Sequence, residues 1–198
     1  MSEKFKNLVA FFTKLPGVGP RHATRLILAM LDWSPEDIET FAQHIEALKT
    51  GPTLCQQCFN FADADLCNIC SNPRRNQRKI AIVEKVTDLA SMEKAGVYDG
   101  VYHVLGGAIN PAGGVLPEKL KISQLIIRAK DAQEIILATN PNTYGETTAL
   151  YLEQELKSAR GGSSFGGQIT RLARGLAAGT SVEYADEITL ANALKHRK

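Results

Sequence analysis

Glu134-Ile-Ile-Leu-Ala-Thr-Asn-Pro-Asn-Thr-Tyr-Gly-Glu146 reads as a strand, a polar loop and the opening of a helix. Glu134–Thr139 is the strand, Asn140–Glu146 the loop, and residues 145–158 continue with helical spacing. The same alternation repeats outward on both sides. Ile80-Ala81-Ile82-Val83 is a short apolar run suited to a buried strand, with a helix expected over 87–95. Val101–Leu105 is a strand, 118–130 a helix, Gln168–Ala173 a strand and 186–196 a helix. This order predicts an α/β fold, a mainly parallel sheet covered by helices. Gly161-Gly162-Ser163-Ser164-Phe165-Gly166-Gly167 reads as a flexible loop within it, because the strand it feeds completes the sheet.

Open parallel sheets build their sites at the carboxyl ends of strands. Glu84, which ends the first strand, should therefore lie near the Asn140–Glu146 loop. An acid after one strand and an acidic loop after another suit Mg²⁺ and phosphoryl transfer. Asn140 and Asn142 are neutral amides, which leaves Glu84 and Glu146 alone to offset metal charge.

Composition narrows the class. The chain has 198 residues, 44% hydrophobic and 22% charged, which excludes fibrous and disordered proteins. No apolar run approaches the ~18 residues of a membrane span. The N-terminal MSEKFKNLVAFFTKLPG mixes charges into its apolar residues, so no signal peptide and a cytoplasmic location are expected. A net charge of +2 argues against a polybasic DNA binder. Charge is uneven, however: residues 55–79 hold four basic and two acidic side chains, 80–160 eight and ten, and 161–198 five and three. Any nucleic-acid surface must then be local.

The first half carries two motifs. Phe5, Leu8, Val9, Phe12 and Leu15 recur at helical spacing, and Ala23, Leu26, Ile27 and Met30 restart it after Leu15-Pro16-Gly17-Val18-Gly19-Pro20-Arg21. Ser34-Pro35-Glu36-Asp37 starts a third helix that should reach Leu48. Gly17 and Gly19 permit a tight turn with backbone N–H groups free at the next helix start, and Arg21 and Arg25 sit one turn apart on that helix. That is an anion site, or else an ordinary helix–helix turn with two solvated arginines. Cys55-x2-Cys58-x8-Cys67-x2-Cys70 uses every cysteine of the chain. Four soft ligands with no fifth group fit one closed, structural Zn²⁺ per chain; two disulfides, a redox CxxC or an iron–sulfur cluster are the alternatives.

LPGVGPR resembles a helix-hairpin-helix motif, which implies a grip on nucleic-acid backbone without sequence readout, through Gly17, Gly19, Arg21 and Arg25. The strand–helix half resembles a Toprim domain, whose acidic pattern Glu84 and Glu146 match, whereas Asn140, Asn142 and Tyr144 stand at acidic positions. The order of modules, with LPGVGPRHATRL, CQQC…CNIC, YHVLGGAINPAGG, ILATNPNTYGETTALYL, ITRLARGLAAG and EYADEITLANAL, resembles the RecR family of bacterial recombination mediators across nearly the whole chain. GTSVEYADE, from Gly179 to Glu187, departs from a more Gly-rich family string. The resemblance implies a helix-hairpin-helix domain over 1–53, a four-cysteine zinc finger over 54–77, a Toprim domain over 78–173 and a C-terminal segment over 174–198. It also implies a non-catalytic DNA-repair mediator, binding single- and double-stranded DNA, acting with RecO- and RecF-type partners to load recombinase. A ring-shaped homotetramer and a bacterial cytoplasm, close to the nucleoid during repair, follow from the same resemblance. Glu84, Asn140, Asn142 and Glu146 would then be a degenerate site open to partner docking.

The rival reading is a Toprim-type nuclease, primase or topoisomerase-like enzyme using Glu84 and Glu146 with Mg²⁺; a third is a zinc-stabilised interaction module that never touches DNA. Arg74-Arg75-Asn76-Gln77-Arg78-Lys79 is either a solvated linker or part of a DNA surface. His22, His44, His103 and His196 have no partner at catalytic spacing and read as structural, and Trp33 as a packing residue between helices or subunits. Gly106-Gly107 and Gly113-Gly114 flank a conceivable phosphate cradle, but no Walker A string supports ATP hydrolysis.

Overall fold

Ser2, Pro20 and Ser34-Pro35 each open a helix, and together they set the first of two compact units, residues 1–52 and 53–198. The computed structural model describes residues 2–49, 53–158, 165–173, 175–176 and 178–195. Gly51-Pro52, the Gly161–Ser164 part of the glycine-rich stretch and His196 lie outside the described residues.

In the first unit, Ser2 Oγ accepts from Phe5 N–H at 3.3 Å to cap α1, Glu3–Phe12. Helix α2, Pro20–Met30, starts directly after Gly19, and α3, Pro35–Ala47, is capped by Ser34, which accepts from Asp37 N–H at 3.1 Å. Only Ala23 and Ile27 of these helices are buried. Phe11, Leu31 and Leu48 are each more than 60% exposed, so this unit leaves much apolar surface in water. Trp33 packs edge-on to Phe41 of α3 at 5.6 Å.

The second unit begins with a small antiparallel pair, β1 (Thr53–Leu54) and β2 (Phe61–Ala62), which frames the cysteines. The main sheet contains β3 (Asn76–Val83), β4 (Gly100–Val104), β5 (Glu134–Leu137) and β6 (Gln168–Arg171) in the order β4-β3-β5-β6. All three pairings are parallel, as expected for strands joined through helices. Residues alternate between faces. Ala81, Val83, Tyr102 and Val104 pack with Leu89 of α4 (Val86–Ala95). Ile82, Ile135 and Leu137 pack on the other face with α5 (Ile122–Ala129) and α6 (Thr143–Lys157). The C-terminal segment adds α7, Glu187–Lys195.

Two boundaries depart furthest from the sequence reading. Strand β3 starts at Asn76, four residues before the apolar run, with an irregular register between Asn76 and Ile80. The helix expected over 118–130 is broken: a 3₁₀ turn, Pro117–Lys119, precedes α5, and Leu120 between them is extended. The break has a tertiary cause. Leu120 is buried, Lys121 N–H bonds Leu105 O at 2.9 Å, and His103 Nε2–H donates to Lys121 O at 2.8 Å. Those contacts outweigh helical continuation, which local spacing could not register.

Candidate functional site

Gly17 takes φ +80, the left-handed region that closes the Leu15–Val18 turn, where Val18 N–H bonds Leu15 O at 3.1 Å. Gly19 is the N-cap of α2 without a side-chain cap bond, and Pro20 has no N–H to leave idle. The first-turn N–H groups of Arg21 and His22 thus have no hydrogen-bond partner among the described residues. Arg21, His22 and Arg25 line a shallow cavity of about 460 Å³. Neither arginine is ion-paired among the described residues. Free N–H groups, a positive helix end and two unpaired guanidiniums are what a phosphate requires.

Cys55, Cys58, Cys67 and Cys70 are all buried, and their sulfurs lie within 4.8 Å of one another, with Cys58 and Cys67 at 3.4 Å. Tetrahedral zinc with 2.3 Å bonds places its sulfurs about 3.8 Å apart, so the set fits one ion. None of the four is in a disulfide. Burial opposes ionisation of Cys55, but backbone N–H groups of Cys67, Cys58 and Gln57 outweigh it and bring the thiol down to about 7. Cys58 is pushed up by the hydrogen bond it shares with Cys70 and by burial, and burial also raises Cys67. Four thiols so crowded in a dry pocket are costly without a cation to share. The centre is a structural zinc site, with the ion held by four thiolates and no open position for chemistry.

The zinc module is tied to the sheet. Val104 N–H of edge strand β4 donates to Cys58 O at 2.8 Å. Arg128 of α5 donates from Nη1 to Gln57 O at 3.1 Å and Tyr102 O at 2.6 Å, while Nη2 approaches Cys70 Sγ at 4.0 Å. Sequence reasoning missed Arg128. Its partners lie up to 71 residues away, and nothing local marks it.

At the carboxyl ends of the strands, Glu84 and the 140–146 loop meet as expected. Glu84 is 4% exposed, and Asn140 fills both its oxygens, from N–H to Oε1 at 2.8 Å and from Nδ2 to Oε2 at 2.7 Å. Asn142 caps α6, accepting from Gly145 N–H at 2.9 Å. Glu146 forms a two-point fork with Arg171 of β6 at 2.7 and 3.0 Å, a partner the sequence reading also missed. Gly145 has no room for a side chain: a Cβ there would lie 2.0 Å from Asn140 O. Toprim folds imply Mg²⁺, and these residues do not fit it. One carboxylate is consumed by an amide, the other by a guanidinium, and the intervening groups are neutral.

Two sequence expectations require correction. Arg74–Lys79 is not the solvated linker of one reading, because residues 76–79 belong to β3. Arg75 is ion-paired with Glu93 and also donates to Tyr98 O at 2.9 Å, and Glu93 accepts from Tyr102 Oη at 2.7 Å. Lys79 pairs with Asp99 at 3.0 Å, so two of the run's four cations hold the start of β3 in place. The glycines of the 106–114 loop form no cradle, because three of the four amides are engaged internally, Gly106 N–H on Glu84 O, Gly113 N–H on Asn110 Oδ1 and Gly114 N–H on Pro111 O, and a single remaining amide, that of Gly107, does not surround a phosphate.

A helical hairpin with a phosphate-competent turn, a four-cysteine zinc module and a Toprim-like sheet define a modular DNA-metabolism protein. Family models match in the same order: the RecR helix-hairpin-helix over 5–49, the RecR four-cysteine zinc finger domain over 53–72, the Toprim domain over 78–164 and the RecR C-terminal region over 175–198. The recombination protein RecR of Herpetosiphon aurantiacus is 42% identical over 198 residues, covering 99% of this chain and 94% of that protein. That of Carboxydothermus hydrogenoformans is 41% identical, covering 100% and 97%. The Streptococcus mutans protein is 42% identical, covering 96% and 94%. The chain belongs to the RecR recombination protein family, which gives it a role in DNA recombination and repair. Its helix-hairpin-helix supports DNA binding. Among the described residues no helix is long and apolar enough to cross a membrane.

Proposed function

We propose that the chain is a non-catalytic recombination mediator that holds single- or double-stranded DNA by its backbone and helps partners of the RecO and RecF type to load recombinase. The observation that carries this reading is the hairpin: Gly17 and Gly19 leave the Arg21 and His22 amides free beside Arg21 and Arg25. Such contacts fix position without reading bases, so binding is independent of sequence. The absence of catalysis rests on the carboxylates of Glu84 and Glu146, engaged by Asn140 and Arg171. The degenerate site of Glu84, Asn140, Asn142 and Glu146 serves for partner docking in this reading, Asn142 and Glu146 offering the contact surface over buried Glu84, with Tyr144, 47% exposed, at its rim.

A homo-oligomer, a ring tetramer, accounts for the apolar side chains the first unit leaves in water and for exposed Val182, Tyr184, Ile188 and Leu194 of the C-terminal segment. The four modules are taken as 1–53, 54–77, 78–173 and 174–198, at work in a bacterial cytoplasm and on the nucleoid during repair. The test is a salt titration of DNA affinity. Arg21→Ala with Arg25→Ala should weaken binding to all sequences alike and flatten the log–log salt slope by ~0.9 per lost duplex contact or ~0.7 per single-strand contact, with particle mass unchanged. A correctly assembled double variant with unaltered affinity and slope would overturn the hairpin assignment. Metal-dependent nicking, relaxation or primer synthesis that disappears in Glu84→Gln would overturn the mediator reading in favour of an enzyme.

A further inference from the structure

A groove of about 340 Å³ runs between the zinc module and the carboxyl ends of β3 and β4. Its apolar walls include Leu54 and Phe59 from the zinc module, Val86 from the start of α4 and Val104 from the end of β4; Lys85 and Lys121 stand with them. The volume falls within the range of ligand clefts, roughly 300–1,000 Å³. Neither the zinc-binding cysteines nor Glu84 and Asn140 line it.

Two observations set the groove apart from incidental roughness. Phe59, directly after Cys58, has φ +61, the left-handed region that a bulky side chain rarely occupies. The knuckle holds its ring edge-on to buried His103 at 5.3 Å, with the Lys121 ammonium 5.3 Å from its centre. Strain of this kind persists where the surroundings over-determine it, and it accumulates at working sites. Secondly, neither Lys85 nor Lys121 forms an ion pair among the described residues. The nearby Asp88 carboxylate accepts the Lys85 backbone N–H at 2.8 Å as part of the helix cap. Two unneutralised cations beside an apolar trough call for a ligand that is acidic and apolar at once.

We propose that this groove docks an acidic segment of a partner protein, with an apolar side chain seated among Leu54, Phe59, Val86 and Val104 and flanking carboxylates on Lys85 and Lys121. Nucleic acid fits less well. Three of the four apolar walls are aliphatic and offer no stacking plane, and the one aromatic ring already holds a cation near its centre. Anchoring by a buried apolar side chain, with charge pairs at the rim setting specificity, is the usual division of labour in such contacts.

The test uses the full-length, zinc-loaded protein and a fluorescein-labelled peptide, Glu-Glu-Leu-Phe-Asp-Leu-Glu, followed by anisotropy. A counterpart with every acid replaced by lysine is the control. Saturable binding of the acidic peptide alone is expected, with affinity lowered at least tenfold by Lys85→Glu with Lys121→Glu. Lys85→Arg with Lys121→Arg should retain it, and zinc content and the DNA salt slope should match the wild type in both variants. The proposal is overturned if the acidic peptide fails to saturate or binds the charge-reversed variant equally. It is also overturned if a single-stranded oligonucleotide displaces the peptide from the wild type and itself loses affinity in that variant, which assigns the groove to nucleic acid. A smaller native particle in the charge-reversed variant assigns it to self-association and overturns it too.

Discussion

Asn140 donates twice to the Glu84 carboxylate, so Asn140→Asp would place a half-buried carboxyl group within hydrogen-bond reach of a buried one. One must then take up a proton or lose its partner. We expect a loss of about 1–3 kcal/mol in urea unfolding at neutral pH. Mg²⁺ should recover part of it in Asn140→Asp and leave the wild type unchanged, where both carboxylates of the site are already engaged. Gly145→Ala should cost about 3 kcal/mol, since the new methyl meets the Asn140 carbonyl, backbone that cannot rotate away. A Gly145→Ala protein with an unchanged unfolding midpoint would show that the 140–146 loop is softer than its contacts imply. Arg128→Met removes the donor shared by Gln57 and Tyr102 and the group beside Cys70. Outer partners of metal ligands typically matter 10–100-fold in affinity, so a chelator competition should show zinc held roughly tenfold more weakly.

At the level of elements, β4 carries a titrating group in an apolar setting. His103 is completely buried, its Nδ1 has no partner among the described residues, and its Nε2–H is engaged by Lys121 O. Burial holds it down to about 4; the Lys121 carbonyl works against this, and the Arg128 charge adds to it. The unfolded chain, near 6.5, therefore binds the proton first. Stability from this residue is complete above about pH 6.5 and declines as pH falls towards 4, by about 3 kcal/mol in all. Urea midpoints across that window should fall in the wild type and fall less in His103→Phe, which keeps an aromatic ring against Phe59. Identical acid limbs would remove His103 from the account. The parallel sheet was legible because buried strands such as Ile80–Val83 are unbroken apolar runs between helical stretches. The zinc site was legible because its ligands fall in two close pairs. What escaped were contacts made across the fold: Arg75 with Glu93, Arg171 with Glu146, Arg128 with the knuckle, and the pinning of Leu120 and Lys121 that breaks a helix. Local spacing describes a residue's neighbours in the chain, whereas each of these partners is set by topology.

For the whole molecule, the ion and the apolar surface matter most. Structural zinc can contribute about 10–16 kcal/mol of apparent binding energy, so Cys58→Ser should yield a chain poor in zinc and insoluble, with its zinc module unfolded. About one iron per chain with visible cluster absorption would refute the zinc assignment. The zinc knuckle lies along the outer side of β4, where Val104 N–H meets Cys58 O. An uncovered edge strand is a template for pairing with any other chain that offers one. Chelation therefore threatens more than a small module: it opens the rim of the main sheet while the core beneath stays assembled. Metal-stripped protein would then fail by sticking before it fails by melting. Light scattering would rise ahead of any loss of helical signal, at a rate that climbs with protein concentration. What looks like a scaffold ion thus also acts as a solubility device for the sheet it borders.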